Sequence, residues 1–151
     1  MKHISPLIGF PGQRCSSSHS FAGLFMKEAY TTTASMILGD DGILRIKLKK
    51  GARIKLSDLE NHFRVTERLL DGKKALVLVD ARADYFISPA ARAFSSKASG
   101  KTRIATAFVT RSKAGMHFIN LYIRLNKPST PTRFFTDIME AESWLLSFRE
   151  K

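Results

Sequence analysis

The segment Ala75–Val79 is the sequence feature that most restricts the fold. It is an unbroken apolar run of strand length that stops at Asp80, which is typical of a strand covered on both faces. Strand-sized segments alternate with helical patterns on either side of this run. The chain is therefore predicted to be an α/β protein with a mixed sheet and helical crossovers.

A β-hairpin is predicted before this buried strand. Its two strands are Tyr30–Leu38 and Ile43–Leu48, and the turn sequence Gly39-Asp40-Asp41-Gly42 separates them. About five strands and about four helices are expected in all. The further elements are a helix from a Ser57 cap to Asp71-Gly72, a helix from Ser88-Pro89 to about Lys97, a strand Ile104–Thr110, a helix Lys113–Leu125, a strand Arg133–Thr136 and a helix capped by Asp137.

Length and composition indicate one domain. The 151 residues, 44% of them hydrophobic, suffice for a single ordinary core. Cys15 is the one cysteine, which excludes an internal disulfide and a multi-cysteine zinc site. The single cysteine also fits a reducing compartment, so we expect a cytoplasmic protein. No apolar run reaches the length of a membrane helix, so we expect no transmembrane segment.

The N-terminal stretch differs from the rest of the chain. Met1–Met26 has no acidic residue, carries prolines and glycines, and shows no sustained hydrophobic period. We expect residues 1–27 to be a disordered leader, with the domain at residues 28–151. Alternatively the leader is an artefact of start-site choice, because Met26 could itself be the N-terminus.

Short motifs along the chain carry a family resemblance. The run Leu78-Val79-Asp80 is followed by Tyr85-Phe86-Ile87-Ser88 ahead of a helix, and this order of elements resembles a STAS domain, the anti-sigma-factor-antagonist fold. Residues 126–137, together with Ala141 and Trp144-Leu145, are more closely similar to small bacterial STAS/SEC14-like proteins of unassigned function. These motifs are apolar and turn residues, so they indicate the fold more than an activity.

The resemblance covers about Glu28–Glu150 and implies a regulatory module that binds another protein. In regulatory STAS domains a serine at the start of the second helix is phosphorylated. Here Pro89 stands at that serine's position, and Ser88 stands where the family has an aspartate. The resemblance therefore predicts no phosphoserine switch, and Ser88 is interpreted as a helix N-cap.

The helix Lys113–Leu125 is the second candidate contact surface. Its apolar residues occupy more than half of its circumference, which exceeds the need of a one-sided helix. We expect the surplus to bury against a second copy, a partner chain or a lipid-like ligand, unless neighbouring helices cover it. The predicted partner- or ligand-binding residues are Asp80, Asp84, Tyr85, Ser88, Met116, Phe118, Leu121 and Tyr122.

The net charge of +12 suggests a possible anion site. Arg45, Lys47 and Lys49 alternate along one strand and so point to one side of the sheet. Nucleic acid is disfavoured as the ligand because no stacking aromatics or recognition helix accompany the stripe. The alternative is a solvated basic face that protects an edge strand.

Catalysis is not expected. His62 falls near the apolar side of its helix, His117 lies far along the chain, and Asp80 is placed to accept hydrogen bonds from the following turn. The sequence has no Gly-rich phosphate loop and no helical metal-ligand pair, so we expect no cofactor and no metal. The leading hypothesis is a protein-binding STAS module, followed by a carrier of a lipid-like ligand and then by an anion binder.

Overall fold

The computed structural model describes residues 14–21 and 24–149 as a mixed α/β fold. The elements are β1 (Arg14–Phe21), β2 (Leu24–Tyr30), β3 (Ala34–Leu38), β4 (Ile43–Leu48), β5 (Ala52–Ile54), α1 (Leu56–Leu70), β6 (Ala75–Asp80), β7 (Tyr85–Ile87), α2 (Pro89–Ala98), β8 (Arg103–Val109), α3 (Lys113–Asn126), β9 (Thr132–Phe135) and α4 (Ile138–Leu146).

A mixed sheet in the order β1-β2-β3-β4-β6-β8-β9 forms the centre of the molecule. Its first four strands pair antiparallel, and each later neighbour pairs parallel. The parallel half is joined by α1, α2 and α3, as expected for helical crossovers. A separate parallel pair, β5–β7, lies outside this sheet. The predicted mixed sheet with helical crossovers is confirmed.

The apolar run of β6 is covered on both faces, as predicted. Val77 and Val79 belong to a core cluster with the inner face of α1. Leu76 and Leu78 belong to a second cluster with Ala141 and Leu145 of α4. The sheet thus separates two cores, with α1 on one face and α4 on the other.

Two predicted helix caps are confirmed. The hydroxyl of Ser88 accepts a hydrogen bond from the backbone N–H of Ala91 at 3.1 Å, and Pro89 occupies the first turn. The carboxylate of Asp137 accepts from the N–H groups of Met139 and Glu140. These side chains satisfy donors that a helix N-terminus otherwise leaves unpaired.

The predicted Ser57 cap of the first helix is wrong. The helix α1 begins at Leu56, so Ser57 lies inside its first turn. The carboxylate of Asp58 instead accepts a hydrogen bond from the N–H of Lys55 at 2.9 Å. An acidic side chain in the first turn serves the same end as a serine cap.

Strand β2 occupies part of the segment expected to be a leader. It pairs with β3, with Lys27 opposite Leu38 and Tyr30 opposite Ser35. The expected boundary at residue 28 therefore falls inside a strand, and Tyr30 ends β2 instead of opening the hairpin. Backbone pairing needs no apolar period, which is why the sequence pattern did not reveal this strand. Residues 1–13 lie outside the described residues.

Candidate functional site

A cavity of about 300 Å³ lies between the α1 side of the sheet and the helices α1, α2 and α3. Its floor is formed by side chains of β4, β6, β8 and β9, and the helices and the β5–β7 pair form its walls. The apolar lining consists of Ile46, Leu48, Ile54, Leu59, Val79, Tyr85, Ile87, Phe108, Ile119, Ile123, Pro128 and Phe134.

Small side chains on α2 leave this space open. The face of α2 that lines the cavity carries Ser95 and Ser96, and Ser99 continues it one turn later. Ser99 lies four residues after Ser95 and three after Ser96, so each of these pairs lies on one side of the helical turn, where a core-facing helix normally carries large apolar residues. Phe94, by contrast, packs edge-on against Phe63 of α1 at 5.4 Å between ring centroids. Helix α2 is therefore held by its neighbour while its serines leave a gap.

Arg103 is a buried cation in the cavity wall. It is 6% exposed and lies at the start of β8. In the pairing with β6, Arg103 is opposite Ala75 but Ala105 is opposite Leu76, so the strand carries one extra residue here. Such a bulge re-aims a side chain, and the Arg103 guanidinium lies 4.7 Å from the ring centroid of Phe63.

The polar contacts of Arg103 are sparse. Its Nη1 donates to the hydroxyl of Thr106 at 3.5 Å, which is long, and its buried Nε has no hydrogen-bond partner in the described structure. Burial lowers the pKa of Arg103 to about 10, so the group stays charged at neutral pH. No aspartate or glutamate stands among the described residues that line the cavity.

His62 lines the same cavity and is held in its neutral form. Its Nε2 lies 2.6 Å from the hydroxyl of Thr33 and 3.1 Å from that of Thr31. Burial lowers the pKa of His62 to about 4, with the nearby Asp58 carboxylate acting in the opposite direction and the Arg103 charge adding to the decrease. The sequence interpretation of His62 as a packing histidine agrees with these contacts.

The structure does not bring the predicted loop residues together in one site. Tyr85 lines the cavity, and burial raises its pKa. Asp80 accepts hydrogen bonds from the backbone and guanidinium of Arg82, and these bonds lower its pKa. Asp84 pairs at the surface with Arg111, and Ser88 is used as the cap of α2.

Helix α3 contributes to both the cavity and the surface. Ile119 and Ile123 line the cavity, whereas Leu121 is 52% exposed and Leu125 is 74% exposed. Met116 is half-buried. The predicted surplus of apolar surface is thus present on this helix. The side chains of Phe118 and Tyr122, also predicted as contact residues, lie outside the described residues.

The three basic residues predicted to bind an anion, Arg45, Lys47 and Lys49, differ in their contacts. The Arg45 guanidinium binds the carboxylates of Asp41 and Glu142 at 2.8 and 2.9 Å, and the bond from Arg45 lowers the pKa of Asp41. The ammonium of Lys49 donates a hydrogen bond to the backbone carbonyl of Thr31 at 2.8 Å. Lys47 is exposed. Arg45 is therefore a poor anion ligand, because two carboxylates already neutralise it.

Replacing Arg45 should test this structural role. Arg45→Gln should lower the free energy of unfolding by about 1 kcal/mol, because the side chain is half-exposed and ties the β3–β4 turn to α4. Lys47→Gln on the same strand face is the matched control and should change it by less than about 0.5 kcal/mol. Urea denaturation measures both values. Equal losses of unfolding free energy in the two variants would contradict the structural role of Arg45.

The sequence reasoning missed Arg103 and the serines of α2. Two serines near the end of α2, followed by Ser99 just beyond it, were the available signal for the cavity, since a crossover helix normally packs an apolar stripe on its sheet. No signal pointed to Arg103. In the part of the chain that the structure describes, no cluster of histidine, cysteine or carboxylate side chains could hold a metal, and no helix has the length and apolar character needed to cross a bilayer.

Comparison with known proteins supports the fold. Residues 36–149 match the family model described as a domain of unknown function, DUF7793. The chain is also similar to the crystal structure of an uncharacterized protein of the DUF3478 family from Shewanella loihica PV-4, which has a SpoIIAA-like fold. That match has 15% identity and a TM-score of 0.51, and covers 93% of this chain and 98% of the other. No match was found among curated proteins. The STAS-like fold is confirmed.

Proposed function

This chain belongs to the DUF7793 family, a domain of unknown function, and we propose that its STAS-like fold binds a small apolar ligand in the cavity beneath α2 and α3. The observation that carries the proposal is the cavity of about 300 Å³ with a mainly apolar lining. An engineered apolar cavity of about 150 Å³ is already large enough to bind benzene. Pockets for small molecules begin at about 300 Å³.

The loose packing on this side of the sheet supports a binding role. A helix that faces a core normally fills the space beside a sheet with large apolar side chains. Here Ser95, Ser96 and Ser99 line the cavity instead. The apolar walls opposite these serines are therefore available to a ligand.

Binding without catalysis agrees with how the polar groups are used. Ser88 caps a helix, His62 is held by two threonine hydroxyls, and Asp80 is bound by Arg82. A hydrolytic or group-transfer site needs a nucleophile, a base and an orienting group that converge on one point. These side chains lie on separate elements and face separate partners.

A second candidate function is protein binding, which the family resemblance implies. Leu121 and Leu125 of α3 and Phe86 of β7 are 52%, 74% and 50% exposed, and exposed apolar groups of this kind often mark interaction surfaces. Native mass spectrometry of the protein from its own host separates the two candidates. A retained small molecule supports the cavity proposal, and a retained protein supports the second.

Filling the cavity should abolish ligand binding. Ser95→Phe places a ring into the space, so the affinity for the neutral fluorescent probe N-phenylnaphthylamine should fall by more than about tenfold, or about 1.4 kcal/mol. Ser143→Phe is the matched control, because Ser143 is exposed on α4 across the sheet. Probe titration, with thermal unfolding as a check on folding, measures the effect. Equal affinities in the wild type and Ser95→Phe would refute the cavity as the site.

A further inference from the structure

The geometry points to an anionic head group on the cavity's ligand: a monocarboxylate with an apolar tail, bound through its carboxylate by the buried guanidinium of Arg103. This inference rests on the proposed function and specifies the class of ligand. It is carried by the cavity, by the unpaired Nε of Arg103 and by the charges that line the cavity.

Arg103 has unused hydrogen-bonding capacity. A guanidinium carries five N–H donors in a fixed plane, and buried polar groups in proteins nearly always have partners. Here Nε is unpartnered and Nη1 has one long contact to Thr106 at 3.5 Å. A carboxylate can accept two parallel hydrogen bonds from such a group.

The contact of Arg103 with Phe63 leaves its charge unbalanced. The guanidinium carbon lies 4.7 Å from the centre of the ring, within the range of a cation–π interaction. A phenyl ring attracts the cation but carries no negative charge of its own. Arg103 therefore keeps a positive charge that an anionic head group can balance.

The charges on the cavity wall also favour an anionic ligand. The other titratable groups on the cavity wall are His62, which burial keeps neutral, Tyr85, and Arg92 at the exposed edge. The described lining residues include no carboxylate to balance Arg103. A buried charge without a counter-ion costs several kcal/mol, and a bound anion would remove that cost. A single buried guanidinium matches a monoanion, and the apolar walls match a hydrocarbon tail.

Three ligands with the same tail test the inference on the full chain. Octanoate, octanol and octylammonium share an eight-carbon chain and carry an anionic, a neutral and a cationic head group, and calorimetric titration near neutral pH compares them. Octanoate should bind at least about tenfold more tightly than octanol, because a hydrogen bond to a charged group is worth more than one to a neutral group. Octylammonium should bind more weakly than octanol, since it brings a second positive charge to Arg103.

Substitution of Arg103 tests whether this residue causes the preference for octanoate over octanol. Arg103→Met keeps the volume and removes the charge, so octanoate and octanol should bind with affinities equal within about twofold. Its melting temperature should be at or above that of the wild type, because an unbalanced buried charge is gone. Arg111→Met, which removes an exposed arginine outside the cavity lining, is the matched control and should keep the full preference.

The possible failures are distinguishable. Equal binding of octanoate and octanol to the wild type would overturn the head-group assignment and leave the apolar-cavity function standing. A preference that persists in Arg103→Met would overturn the role of Arg103. Absence of binding by all three ligands and by the neutral probe would overturn both proposals. If Arg103→Met does not fold, the comparison of the three ligands on the wild type decides the assignment.

Discussion

Between about pH 7.5 and about pH 4.5 the free energy of unfolding should fall by roughly 2–3 kcal/mol, because folding holds His62 neutral. The pKa of His62 is lowered from 6.5 to about 4 in the folded protein. The unfolded chain takes up a proton as the pH falls below 6.5, whereas the folded protein does not until about pH 4. The unfolded state therefore binds more protons across this window, and stability is lost as the pH falls.

Urea denaturation at several pH values measures this loss. His62→Gln keeps groups that can hydrogen-bond to Thr31 and Thr33 but cannot titrate, so its stability should be nearly flat over the same window. The exposed His117 provides the control, and His117→Gln should retain the full decrease. The carboxylates of Asp41 and Asp80 have lowered pKa values and contribute their losses at lower pH. If the unfolding free energy of His62→Gln falls with pH as much as that of the wild type, another group is responsible.

Leu145→Ala should destabilise the protein by about 3 kcal/mol. Leu145 is fully buried in the cluster that joins α4 to the sheet, next to Phe135 and the small residues of β8. Truncation there removes apolar contacts and leaves a void that the rigid sheet cannot close. For a chain of this size the melting temperature should drop by roughly 6–12 °C.

The neighbouring leucine is the control for this substitution. Leu146 is 36% exposed, so Leu146→Ala should cost less than about 1 kcal/mol. Thermal and urea unfolding compare the two variants, and titration of the neutral probe checks the cavity, which should be unaffected because it lies across the sheet from α4. Similar losses in both variants would mean that α4 packs differently from the described arrangement.

The parts of the fold that the sequence predicted have strong local signals. An apolar run bounded by a carboxylate identified β6, and Ser88-Pro89 and Asp137 identified the starts of α2 and α4. In each case a few neighbouring residues determine the backbone conformation. The order of such elements was enough to reach the STAS-like fold.

The parts that the sequence did not predict depend on contacts between distant segments. Strands β5 and β7 are short and pair with each other across α1 and β6. The cavity is a lack of packing among several elements, so no single segment encodes it. Arg103 directly precedes the predicted strand Ile104–Thr110, and its burial accompanies a register shift against β6. Only the serines of α2 offered a local hint.

The separation of the two cores by the sheet has a consequence for how this protein can change. Substitutions on α2 alter the space for a ligand on one side, while α4 and its buried cluster hold the other side together. Residues this far apart contribute nearly additively to stability. The size and lining of the cavity are therefore free to diversify by drift or by engineering, one helix at a time, without loss of the scaffold.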